Sequence, residues 1–288
     1  MLSGARSDPL LARNECAMHT EVLDRWIQPS PTMNLAEDTL VCLFGGFHFL
    51  RNGQPLDLFA AGKAMTLLSE LALRLDYGAK REELLETLWP EQDVVQANAS
   101  LNSLIYSLQR RLRGAFQQAP ALVYTNGRYL FNKEAGVSTD VALFDTHVER
   151  GTRLAADRED AAAARSFTFA VDLYQGDLCA GSTVYAVIER ERLRGSFLHV
   201  LAWLAGRAHR EGDADAALKY AQMLLGHDPC REDAHRLVMR ILVHRGERAD
   251  ALRQFRVCEY LLRREFDAVP EALTSELFEQ IRSGSSLV

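Results

Sequence analysis

Two Asn-Gly dipeptides, Asn52-Gly53 and Asn126-Gly127, constrain the first half of the chain most strongly. Each lies between two short extended runs rich in apolar and aromatic residues. Asn-Gly in that position predicts a β-hairpin, because both central residues of a type I′ turn need positive φ. Between the two dipeptides, apolar residues recur at intervals of three and four, which predicts helices. We therefore expect a small antiparallel sheet, then helices, then a second hairpin.

Three helices are predicted between the hairpins. The first begins near Ala60 and stops at Tyr77-Gly78. The second covers about residues 80–89, and Pro90 ends it because proline cannot supply the backbone N–H that a continuing helix needs. The third covers residues 96–113. This order of sheet, three helices and hairpin is typical of a winged helix-turn-helix, in which the third helix enters the major groove of DNA.

The predicted third helix has one apolar side and one polar side. Taken alone it would be an amphipathic surface helix, but the elements before and after it favour DNA binding. In this interpretation small polar side chains and Tyr106 read base edges, and arginines hold phosphates. The predicted DNA-binding residues are Gln96, Asn102, Ser103, Tyr106, Ser107, Arg110, Arg113 and Arg128.

The charge distribution supports a rival interpretation. The net charge of the chain is -6, and residues 38–137 carry ten Lys and Arg against ten Asp and Glu. A DNA-binding surface is usually basic. The alternative is therefore a signal-sensing or scaffold protein, whose winged helix has lost DNA binding and acts as a docking or dimerisation module.

A 34-residue period marks the second half. Gly212 and Gly246 are 34 residues apart, as are Ala217 and Ala251. This is the period of tetratricopeptide repeats, which are pairs of helices. We expect an α+β winged helix-turn-helix followed by an all-α, tetratricopeptide-like domain. The expected boundaries are an extension or linker at 1–38, the winged helix at 39–137 and the helical domain at 138–288.

Sequence patterns of enzymes, metal sites and membrane proteins are lacking. The five cysteines are scattered without a C-x-x-C pair, the eight histidines have no metal-binding spacing, and no phosphate-binding P-loop occurs. We therefore expect no catalytic site, no metal and no cofactor. No apolar run approaches the roughly 18 residues that span a bilayer, and the N-terminus is unlike a secretory signal. We expect a cytoplasmic protein without a membrane partner.

Several blocks resemble the SARP-type bacterial transcriptional activators, which join an OmpR/PhoB-like winged helix to a bacterial transcriptional activator domain. The most specific is Arg81-Glu82-Glu83-Leu84, followed by Leu88-Trp89-Pro90. In the second half, Asp140-x-x-x-Phe144 and Leu173-Tyr174-x-Gly176-Asp177-Leu178 resemble motifs of the activator domain. The blocks that carry the resemblance are 63–68, 80–90, 97–112, 127–130, 140–144, 170–178, 189–193 and 227–232.

The resemblance covers roughly residues 39–282 and also implies what the protein binds. It implies a transcriptional activator that binds promoter repeats in double-stranded DNA, with a helical domain for self-association as a homodimer and for protein contacts. RNA polymerase is a candidate partner, and no small-molecule effector is identified. One departure concerns the third helix, where the family often has arginine and this chain has Asn102, Ser107 and Gln109. Fewer phosphate contacts predict weaker DNA binding with a shallower salt dependence.

Overall fold

The computed structural model describes residues 39–51, 54–56, 62–113, 116, 119–181 and 183–284. The predicted extension at 1–38 lies outside these residues. The chain divides into two compact units, Met1–Leu193 and Arg194–Val288. The described residues contain ten α-helices and seven short strands. The last strand ends at Thr139, and seven of the helices follow it.

The strands are β1 (Thr39–Cys42), β2 (His48–Arg51), β3 (Gln54–Leu56), β4 (Ala79–Lys80), β5 (Leu122–Thr125), β6 (Arg128–Phe131) and β7 (Val137–Thr139). The helices are α1 (Lys63–Leu73), α2 (Arg81–Leu88), α3 (Val94–Leu112), α4 (Asp140–Ala156), α5 (Asp160–Leu173), α6 (Val184–Arg210), α7 (Ala214–His227), α8 (Glu232–His244), α9 (Arg248–Phe266) and α10 (Ala272–Ser283).

The first sheet has the strand order β3-β2-β1-β7. β2 and β3 pair antiparallel, with Arg51 opposite Gln54, so the two strands that flank Asn52-Gly53 form the predicted antiparallel pair. The two turn residues themselves lie outside the described part of the chain. β7 adds to β1 in parallel, with Val41 opposite Thr139, and no local sequence pattern predicted this pairing.

The second sheet, β4-β6-β5, contains the predicted hairpin. Thr125 pairs with Arg128, and Asn126 and Gly127 have φ values of 50° and 75°, as a type I′ turn requires. The two-residue strand β4 was not predicted. Just before it, Gly78 has a φ of 62°, and a Cβ at this position would lie 2.2 Å from the carbonyl oxygen of Tyr129. Only glycine allows this close approach of the two backbones.

The helix α3 begins two residues before its predicted start. The carboxylate of Asp93 accepts hydrogen bonds from the backbone N–H groups of Val95 (2.9 Å) and Gln96 (3.1 Å), and so caps the first turn. The predicted apolar side faces the core. Its buried residues are Ala97, Leu101, Ile105, Leu108 and Leu112.

Asp140 fixes the start of α4 against the end of β1. Its buried carboxylate accepts hydrogen bonds from the backbone N–H groups of Leu43 (2.8 Å) and Phe44 (2.8 Å), and from that of Val141 (2.8 Å). Burial raises the pKa of Asp140 to about 7, although these backbone hydrogen bonds lower it. The motif Asp140-x-x-x-Phe144 therefore has a structural role, since Phe144 also contacts the ring of Phe44 edge-on at 5.4 Å.

The Leu173-to-Leu178 motif pairs with the same segment after β1. The backbone N–H of Gly45 donates to the carbonyl of Asp177 (3.1 Å), and Phe44 forms an antiparallel bridge with Leu178. The hydroxyl of Tyr174 donates to the carboxylate of Asp177 (3.0 Å). Backbone pairing thus joins residues far apart in the sequence within the first unit.

The second unit contains the equivalent positions of the 34-residue period. Gly212 follows α6, Gly246 follows α8, and both have a φ of 79°. The helices that come next, α7 and α9, each bury an alanine completely, Ala217 and Ala251. Glycine therefore makes the same turn twice, and alanine allows the same close helix contact twice. None of the helices within the described residues is both long enough and apolar enough to cross a membrane.

Candidate nucleic-acid interface

Most of the predicted DNA-binding residues lie on one exposed face of α3. Gln96, Asn102, Ser103, Tyr106, Arg110 and Arg113 are exposed, whereas Ser107 and Arg128 are half-buried. Tyr106 has 71% of its surface accessible. This exposure is high for tyrosine, which is usually of intermediate burial. The structure thus brings six of the eight residues to the surface together.

The chemistry of this face changes along the helix. The helix begins with two exposed valines, Val94 and Val95, of which Val95 lies on this face, and neither was predicted as part of the site. Uncharged polar residues follow in the middle. Arg110 and Arg111 are in the last turn and Arg113 comes directly after it, all three exposed. The positive charge of α3 itself is therefore confined to its carboxyl end.

Arg81, the first residue of α2, connects α3 with the hairpin. Its guanidinium donates hydrogen bonds to Asn98 Oδ1 (2.8 Å), Asn102 Oδ1 (2.8 Å) and the hydroxyl of Tyr129 (2.6 Å). Its backbone N–H donates to the carbonyl of Gly127 in the hairpin turn (3.1 Å). One side chain therefore fixes the orientation of α3 relative to the hairpin. The sequence marked Arg81 only as part of a motif, because its acceptors lie 17 to 48 positions away.

The bond from Arg81 also determines what Asn102 can present. With Oδ1 accepting from Arg81, the Nδ2 group of Asn102 is left to donate outward from the exposed face. Donors of this kind match the O6 and N7 acceptors of guanine or the O4 acceptor of thymine. Asn102 is thus positioned by a neighbour, and its Nδ2 group remains as a donor.

Arg128 has partners that the sequence did not indicate. Its guanidinium donates to the backbone carbonyls of Gly78 (3.2 Å) and Tyr77 (3.4 Å), just before β4. Pairing of Arg128 with Lys80 across β6 and β4 brings the side chain to these carbonyls. The contact of Arg128 with a phosphate stays a prediction. Within the fold, the side chain links the hairpin to the backbone before β4.

Gln109, which stands where the family often has arginine, contacts the hairpin. Its Nε2 donates to the backbone carbonyl of Leu122 on β5 (3.0 Å). This bond joins the carboxyl half of α3 to the hairpin, as Arg81 does for the amino half. The departure from arginine therefore has a structural explanation in this chain.

Comparison with known proteins gives three findings. The family model for the bacterial transcriptional activator domain matches residues 139–282, half of the chain. Regulatory protein AfsR of Streptomyces coelicolor is 28% identical over 239 residues, which cover 80% of this chain and 23% of that protein. The chain thus spans about a quarter of the length of this curated relative.

The third finding is a likeness of fold. The structure titled Mycobacterium tuberculosis EmbR in complex with low affinity phosphopeptide superimposes with a TM-score of 0.70 and 19% identity, over 88% of this chain and 67% of that one. The helical architecture with a small β region before it is therefore shared with a solved structure. Together with the family match, this confirms the resemblance that the sequence motifs indicated. The chain belongs to the family of proteins that carry the bacterial transcriptional activator domain.

Proposed function

We propose that the protein regulates transcription, most directly as an activator, by sequence-specific binding to double-stranded promoter DNA. In this proposal residues 39–137 form a winged helix-turn-helix, with α3 in the major groove and the β5–β6 hairpin as the wing. Residues 138–288 form a tetratricopeptide-like domain that associates with a second copy of the chain and with proteins such as RNA polymerase. The protein would work in the cytoplasm, without enzymatic activity.

One observation carries the proposal: α3 presents an exposed face of uncharged polar residues that ends in arginines. The buried side of the helix is occupied by the core, and exposed residues lie on its opposite side from Val95 to Arg113. Arg81 and Gln109 fix the helix against the hairpin, which keeps the face in one orientation. A rigid helix with donors in the middle and cations at its end has the features that base edges and phosphates require.

The test compares arginines on two sides of the same helix. Arg110 and Arg113 lie on the proposed DNA-facing side, whereas Arg111 is also exposed but lies about 100° around the axis from Arg110. Genomic fragments captured on the purified protein would first supply a binding site. We expect Arg110→Ala together with Arg113→Ala to abolish measurable binding at physiological salt.

Salt dependence separates a phosphate contact from a loss of fold. At low salt the double variant should show a slope of log affinity against log salt that is shallower by about 2, since each lost phosphate contact contributes about 0.9. The control variant Arg111→Ala should keep both the affinity and the slope within error. If the double variant binds with the wild-type slope, α3 does not contact DNA through this face.

Charge neutrality favours one second candidate. The ten bases and ten acids of residues 38–137 suit a docking or dimerisation module whose DNA binding has been lost. Capture of genomic fragments at two salt concentrations distinguishes the two. Recovery of a common motif supports the activator, and its half-site spacing would then give the arrangement of the dimer. Recovery of no motif at either salt supports the docking module.

A further inference from the structure

The start of α3 exposes two valines that the fold itself does not account for. Val94 and Val95 have 72% and 78% of their surfaces accessible. Valine is a weak helix former, and the first turn of a helix favours acidic residues, which are absent from the first turn of α3. Neither burial nor helix stability therefore explains two valines at these positions.

Only one of the two valines shares the proposed DNA-facing side. Successive residues of a helix are rotated by about 100°, so Val95 projects in line with Ala99, Asn102 and Tyr106, all of them exposed. Val94 projects about 100° away from Val95, above the side that enters the core. The pair thus provides two equally exposed valines at the same end of one helix, in two different directions.

The major groove offers one apolar group to such a side chain. The edges of the four base pairs carry hydrogen-bond donors and acceptors, and thymine alone adds a C5 methyl group. The amino-terminal residues of a recognition helix are those that contact base edges. An exposed valine in the first turn therefore has one matching chemical partner in DNA.

We propose that Val95, together with the methyl group of Ala99, contacts the C5 methyl of a thymine and so determines the base accepted at one position of the DNA site. This inference rests on the proposed function, since it assumes that α3 enters the major groove. Arginines at the carboxyl end of the helix hold the backbone, and the apolar start selects the base. Val95 is thus a specificity-determining residue.

Replacement of thymine by deoxyuridine tests the contact, because it removes the methyl group and nothing else. In a site selected from random DNA, thymines are replaced one at a time and binding is measured for the full chain. We expect one replacement to weaken wild-type binding about fourfold, the equivalent of one buried methylene group at about 0.8 kcal/mol. Val95→Ser should bind the thymine site less tightly and show no difference between thymine and deoxyuridine there.

The variant Val94→Ser is the matched control and should keep the full wild-type difference. If the wild-type protein selects a motif but tolerates every deoxyuridine, or if Val95→Ser keeps the difference, the inference is overturned while DNA binding stands. If selection yields no motif, the proposed function and this inference fall together. Equal melting temperatures of the two valine variants show that a difference between them does not come from unfolding.

Discussion

Replacement of Arg81 should separate α3 from the hairpin without unfolding the chain. Arg81→Ala removes hydrogen bonds to Asn98, Asn102 and the buried Tyr129. The bonds to Asn98 and Tyr129 are partly buried and are worth about 1 to 1.5 kcal/mol each, whereas the exposed bond to Asn102 is worth about 0.5 kcal/mol. We therefore expect the free energy of local opening of α3 and β6 to fall by about 3 kcal/mol.

Amide hydrogen exchange measures this quantity in the full chain. A loss of about 3 kcal/mol corresponds to roughly 100-fold faster exchange in α3 and β6, because 1.4 kcal/mol is a factor of ten. Exchange in α7 to α10 should be unchanged, since these helices belong to the other compact unit. Arg111→Ala, which removes an exposed arginine from α3, is the control and should change exchange by less than about threefold.

A conservative variant tests the geometry of the guanidinium. Arg81→Lys keeps the charge, but a single ammonium group cannot reach three acceptors in the arrangement that the planar guanidinium allows. We expect it to recover less than half of the lost protection. If Arg81→Ala leaves exchange in α3 and β6 at the wild-type rate, the hydrogen bonds of Arg81 do not hold these elements together.

Two further perturbations test the structure around the candidate interface. The pKa of Asp140 is raised from 3.8 to about 7 by burial, so its contribution to stability is complete below about pH 3.8 and is lost as pH rises to about 7. Urea unfolding should show the stability of the wild type, relative to Asp140→Asn, falling by about 2.5 kcal/mol from pH 5 to 8, and a constant or rising difference would contradict this. Gly78→Ala should cost about 3 kcal/mol through strain and its clash with Tyr129, whereas Gly127→Ala, with φ 75° and open space around it, should cost about 1 kcal/mol. Equal shifts in melting temperature for the two glycine variants would refute the proposed clash.

Local sequence patterns predicted the β5–β6 hairpin and α3, because the conformation of these elements depends mainly on neighbouring residues. Asn126-Gly127 predicted its hairpin, because the φ preferences of these two residues specify the turn without help from the rest of the fold. The apolar spacing of residues 96–113 predicted α3 and its buried side. The predicted start of α3 lies two residues late, because Asp93 caps the helix ahead of the first apolar residue of the pattern.

Contacts between distant residues could not be predicted in the same way. Asp140 accepts from Leu43, 97 positions earlier, and nothing in either local sequence specifies the other. The predicted phosphate contact of Arg128 stays a prediction, and nothing in the local sequence indicates that pairing with β4 also brings backbone carbonyls within reach of this side chain. The position of a long cationic side chain depends on the acceptors that the fold places around it.

The parallel pairing of β1 with β7, and the bridge from Phe44 to Leu178, have a consequence for synthesis of the protein on the ribosome. A ribosome that adds 5–20 residues per second needs about 7 to 28 s to proceed from β1 to Leu178. For roughly the first 5 to 19 s of that interval, until β7 has been made, β1 has an unpaired edge, a surface on which nascent chains associate with one another. The first unit can therefore become complete only after more than half of the polypeptide has been made, and slow translation or premature termination before residue 178 should favour aggregation.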